Sequence, residues 1–209
     1  MATEDRFSEL PGVMGVLYAL ILVFSAQLAG VLLYQVGLGL LSGVGVGSGT
    51  TTAQILTTVL FSGSFALVVL VFVNGVGDRD LFDVSVPSGF ELALAAGSVV
   101  VLFVLQTGIV WLIAQFDLAP VTNRAIDPTT HTPTYFLLMV LVSLLVVGPA
   151  EELLFRGAIQ GLFRRAWGMW PAILAASLMF GSVHFLVGSG TFAERGAYVA
   201  IAFLLGIGL

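Results

Sequence analysis

Of 209 residues, 58% are hydrophobic and 9% charged, with a mean hydropathy of +1.09. Soluble domains carry about 25% charged residues, so a soluble globular fold is excluded. The absence of cysteine excludes disulfide and thiolate chemistry, and twelve acids against seven arginines, with no lysine, argue against nucleic acid as a partner.

Met1 to Leu10 carry three acids and one arginine. That is the wrong start for a cleaved signal, so the first apolar segment reads as a retained span. No formal charge lies between Glu9 and Asp78. This leaves room for two crossings of about 20 residues each. They are expected at 12–41 and 53–76, separated by a flexible glycine, serine and threonine tract at 42–52. A polar loop at 77–88 holds Asp78, Arg79, Asp80 and Asp83. The third span is expected at 92–116, followed by a polar loop at 117–133 in which His131 reads as solvated. The fourth begins near Thr134 and the fifth covers 169–187. A sixth apolar run, 196–209, has fourteen residues. It is short of a span, so the chain is expected to be cut off within a helix.

The expected fold is an all-α polytopic transmembrane helical bundle of about six spans with its C-terminal part missing. It is read as a single integral membrane domain over 1–209 with a motif-bearing core at 134–187. Counting arginines on alternate sides groups Arg6, Arg79, Arg164 and Arg165 against Arg124 and Arg195. The positive-inside rule then places the N-terminus in the cytoplasm.

One stretch departs from the rest: Glu151, Glu152 and Arg156 follow the sixteen-residue apolar run from Tyr135 to Ala150. Ionisable side chains within a span are costly and direct attention to their partners. On a helix, Glu152 and Arg156 are four apart and can pair, whereas Glu151 is turned by about 100° and points elsewhere. Glu151 is therefore the acid available as a general base. Pro149 removes one backbone hydrogen bond and is expected to bend the helix before the acids. If the fourth and fifth spans form a hairpin turning at Trp167-Gly168, Glu151 and His184 lie at equal depth. Phe180, four residues before His184, shares its face and can exclude water. The alternative from spacing alone is an ion-pair network that holds helices together, with His184 a hydrogen-bonded core residue. Gly157 and Gly161, four apart, read as a helix-packing pair.

Glu151-Glu152-x-x-x-Arg156 followed by Phe180-x-x-x-His184 resembles the first two motifs of the CPBP family of CAAX and bacteriocin-processing intramembrane proteases, also called the Abi family. The resemblance covers about 147–185. It implies a membrane-embedded endopeptidase in which Glu151 activates water for attack on a peptide bond and His184 is its partner. Glu152, Arg156 and Phe180 would support them. The substrate would be a membrane-associated protein or a peptide, and a divalent metal such as zinc is a possible cofactor, with Glu151 and His184 as candidate ligands. The family pattern continues with a later histidine motif, and no histidine follows His184 here. Truncation is the expected cause. A non-catalytic membrane immunity or scaffold protein is the competing reading. An ion or proton transporter ranks below both, because the first three spans are uncharged.

Overall fold

The computed structural model describes residues 12–76, 88–115, 131–186 and 190–208. The loops expected at 77–88 and 117–133 lie almost wholly outside these, as does the break at Gly188. Among the described residues there are six helices and no strand. They are α1 (Gly12–Gly43), α2 (Thr51–Val76), α3 (Gly89–Ala114), α4 (Pro133–Trp167), α5 (Met169–Val183) and α6 (Phe192–Gly208). The all-α, membrane-type expectation holds. Three helices, α1, α2 and α4, are long and apolar enough to cross a membrane. The 15 residues of α5 and 17 of α6 correspond to about 22 and 26 Å of helix, less than a bilayer core. The chain groups into two compact units, Met1–Phe82 with Pro128–Ala172, and Asp83–Asp127 with Ile173–Leu209.

In the first unit α1 and α2 run antiparallel. Tyr18 meets Phe72, Ser64 Oγ donates to the carbonyl of Ala26 at 3.2 Å, and Gly37 faces Leu60 and Thr57. Small side chains make this possible, because Ala19, Ala26 and Gly30 are buried and let the backbones approach. A Cβ on Gly30 would lie 2.9 Å from the Phe61 ring. Many other side chains of these helices face outward: Phe24 and Val71 are 71% and 65% exposed. Such faces suit lipid and not water. The tract at 42–52 forms a tight turn, with Val46 N–H on Leu41 O at 2.8 Å and Gly45 at φ 80°. A left-handed backbone there favours glycine. Thr50 Oγ1 then caps α2 through Ala53 N–H at 3.3 Å.

Helix α4 begins after Thr132, whose hydroxyl accepts from Tyr135 N–H at 3.3 Å, with Pro133 in the first turn. It does not stop at Pro149 and runs for 35 residues to Trp167. There Gly168, at φ 82°, ends it and donates to Arg164 O at 2.9 Å. Its last turns pack on the start of α1: the Trp167 indole lies against Gly12, and Leu162, Phe163 and Ala166 border Gly15. The N-terminal end of α1 at Gly12 and the Arg164-Arg165 pair thus share one end of this unit; Arg6 and Arg79, on which the arginine grouping also rests, lie outside the described residues.

In the second unit α5 and α6 approach closely and α3 packs against α6. A Cβ on Gly181 would lie 2.8 Å from Val199 O, and one on Gly206 3.1 Å from Ser177. Helix α6 starts at Phe192, earlier than the expected 196. The reason is a capping box, in which Thr191 N–H donates to Glu194 Oε2 at 2.6 Å and Glu194 N–H to Thr191 Oγ1 at 3.3 Å.

Gly181→Ala should cost about 1–3 kcal/mol by forcing backbone against backbone. Gly39→Ala, with nothing within 4 Å, should be neutral or slightly stabilising. Thermal unfolding in detergent compares them, and an unchanged melting temperature for Gly181→Ala would refute the close approach.

Candidate active site

The site begins with a backbone problem. Pro149 has no N–H to give to the preceding turn, and in a regular helix its ring would press on the carbonyl of Leu145. The chain answers by widening. Residues Ser143–Val147 form a π-helical turn in which Gly148 N–H reaches back five residues to Ser143 O, and a second π-helical stretch covers Leu153–Ile159. Gly148 suits the first turn because a Cβ there would lie 3.1 Å from Ser143 O. Helix α4 thus continues through Pro149 without interruption, with a π turn on each side of Gly148–Glu152. Such turns recur at functional sites.

Widening resets which residues share a face. In a regular α-helix, two steps of four residues leave a row about 80° out of line. Here rows of four persist. Ala150, Leu154, Ala158 and Leu162 are all buried, and so are Phe155, Ile159 and Phe163. Glu151 heads the row of Phe155, Ile159 and Phe163, and is itself half-buried. Glu152 heads the next row, with Arg156, Gln160 and Arg164, none of which is buried. The two acids are neighbours in sequence on different faces of α4. Glu151 is also one residue from the midpoint of the 35-residue helix, about 24 Å of helical rise from Trp167.

Glu152 Oε1 lies 3.3 Å from Arg156 Nε. The pairing expected from spacing is present, and protein does not enclose it: Glu152 is 58% exposed and Arg156 23%. The row that carries the pair faces away from α1 and α2, because the apolar rows of α4 occupy that contact. Gly161 is buried while Gly157 is half-buried.

His184 belongs to the second unit, in a short 3₁₀ turn, His184–Leu186, that closes α5. Its Nδ1 is 2.7 Å from the Phe180 carbonyl oxygen, and the two rings lie 4.6 Å apart, tilted by 58°. A carbonyl oxygen can only accept, so the hydrogen sits on Nδ1 and Nε2 carries the lone pair. Phe180 therefore does more than share a face with His184, since its backbone sets the tautomer. Tyr198 of α6 meets the imidazole edge-on, with ring centroids 5.7 Å apart at 69°. Reading the sequence missed Tyr198, because its link to His184 depends on how α6 packs. His131 stacks on buried Tyr135 with centroids 4.0 Å apart. It is a packed residue at the start of α4, not the solvated one expected.

Among the described residues no three of His, Cys, Asp and Glu gather into a group that could hold a metal ion. Glu151 and His184 are two donors, one fewer than the protein ligands of a catalytic zinc. This set does not complete a zinc site.

Residues 133–209 match the family model described as Rce1-like, type II CAAX prenyl endopeptidase. The matched segment contains both motifs. No curated protein and no solved structure matches the chain.

The position of the Glu152–Arg156 pair near the middle of a helix long enough to cross a membrane has a measurable consequence. Removing one partner leaves the other charge uncompensated where lipid offers no water, so Glu152→Ala should lower the melting temperature in detergent more than Gly39→Ala does. An unchanged melting temperature would show that the pair does not support the fold.

Proposed function

We propose, from the match of residues 133–209 to the type II CAAX prenyl endopeptidase family, that the chain is a CAAX-type intramembrane endopeptidase working by glutamate-activated water. The observation that carries this reading is the separation of the two acids of α4. One is paired and exposed, and the other is half-buried at mid-helix at the head of an apolar row. Glu151 takes a proton from water as the water oxygen bonds to the peptide carbonyl carbon. The other water proton is held by Nε2 of His184, the lone-pair nitrogen left by the Phe180 bond. As the C–N bond breaks, the proton on Glu151 passes to the leaving nitrogen and the second water proton follows it from the side of His184, giving a carboxylate and an ammonium product and restoring the site. The Glu152–Arg156 pair and Phe180 support the geometry, and the bilayer excludes bulk water. The pairing of Glu151 with His184 is supported by the motif match and by the sequence count, in which the midpoint of 151 and 184 falls beside Gly168, the glycine that ends α4.

The substrate proposed is a peptide or a membrane-anchored protein, in keeping with the description of the matched family. The protein is proposed to be an integral protein of the cell membrane, acting as one membrane domain with its N-terminus in the cytoplasm. The non-catalytic scaffold reading predicts instead that no substrate is ever cut.

Purified full-length protein should cleave such a peptide, and Glu151→Ala or His184→Ala should lower kcat by at least about a hundredfold, the scale of a general base, with the helical signal unchanged. Full activity in Glu151→Ala would remove the mechanism. Cleavage that persists in a chelator supports the water-only route, and its loss would instead require a metal held by further ligands.

A further inference from the structure

We infer that Tyr198 is a positioning residue for His184, holding the imidazole so that Nε2 is presented in one direction. This deepens the protease reading and rests on it for its catalytic consequence, while the orientation itself stands on geometry.

A single hydrogen bond fixes one atom of a ring and leaves the plane free to rock about it. Nδ1 is held at 2.7 Å from Phe180 O. The Phe180 ring, 4.6 Å away and tilted by 58°, limits movement on one side. Both restraints come from the same helical turn of α5, and they fray together if that turn opens. Tyr198 supplies a restraint from a different helix, with its ring 5.7 Å from the imidazole at 69°, within the range of edge-to-face aromatic contacts.

The packing of α5 on α6 explains how Tyr198 reaches that position. Gly181, three residues before His184, has no Cβ, and one placed there would lie 2.8 Å from the carbonyl oxygen of Val199, the residue next to Tyr198. The glycine admits the α6 backbone at the level where Tyr198 is carried, so the side chain arrives over His184. The predicted consequence concerns the aromatic ring, which makes the contact with the imidazole.

The test uses the full-length protein in detergent, with histidine labelled with heavy nitrogen and the His184 signal assigned by its loss in His184→Gln. Wild type should show a single tautomer with hydrogen on Nδ1. Tyr198→Phe should keep that tautomer and near wild-type kcat. Tyr198→Leu should keep the tautomer, because the Phe180 bond remains, but should broaden the His184 ring signals as the imidazole rocks, with kcat roughly tenfold lower at unchanged KM, the size an edge-to-face ring contact can supply. Tyr198→Met, which fills irregular space without a ring, carries the same expectation if the leucine variant does not fold. Wild-type ring line widths and kcat in the folded ringless variant would overturn the proposal. If wild type cleaves no peptide, the protease reading fails, and the His184 line widths still decide whether Tyr198 positions His184.

Discussion

A proline in the middle of a helix leaves one backbone carbonyl without its donor, and lipid offers no water to replace it. In α4 the backbone accommodates Pro149 by changing its own pitch. Gly148 N–H reaches Ser143 O, five residues back, and the helix continues to Trp167 without stopping. The second widened stretch, Leu153–Ile159, carries the effect past the acids. The rows of the helix then repeat every four residues. This makes the apolar faces of Ala150–Leu154–Ala158–Leu162 and Phe155–Ile159–Phe163 continuous, and packing against α1 and α2 depends on those faces.

The division of labour between the two acids follows from the same backbone. Rows of four place Glu151 in line with Phe155 and Glu152 in line with Arg156. One carboxylate is drawn toward the apolar interior of its unit, and the other stays outside with a guanidinium beside it. In the proposed reaction the half-buried acid, in line with Phe155, is the one that meets water, and the other holds its arginine. Close backbone approaches at Gly30 and Gly181 join the helices within each unit.

The second unit prepares its histidine by comparable means. The turn that ends α5 offers the Phe180 carbonyl to Nδ1, and the helix that packs beside it supplies an aromatic edge. Neither group needs to touch a substrate. Each narrows the choices open to the imidazole, one by tautomer and the other by orientation. A site whose groups are already oriented spends less of its binding energy on ordering them.

The sequence by itself determined the helical class, the membrane setting and the residues that carry the motif. Those features follow from local composition and from charges that lipid makes conspicuous. It located α1, α2 and the turn at Gly168 closely, and it identified the Glu152–Arg156 spacing. The late start it gave for α6 overlooked the Thr191–Glu194 capping box, a signal that was present in the residues. Only the tertiary structure decided that α4 passes through Pro149 unbroken, that the ion pair is exposed, that His131 is stacked, and that Tyr198 stands over His184. The physical reason is the same in each case. A regular 3.6-residue period was assumed where the backbone had widened, and contacts between helices depend on which side chains are small enough to let two backbones meet.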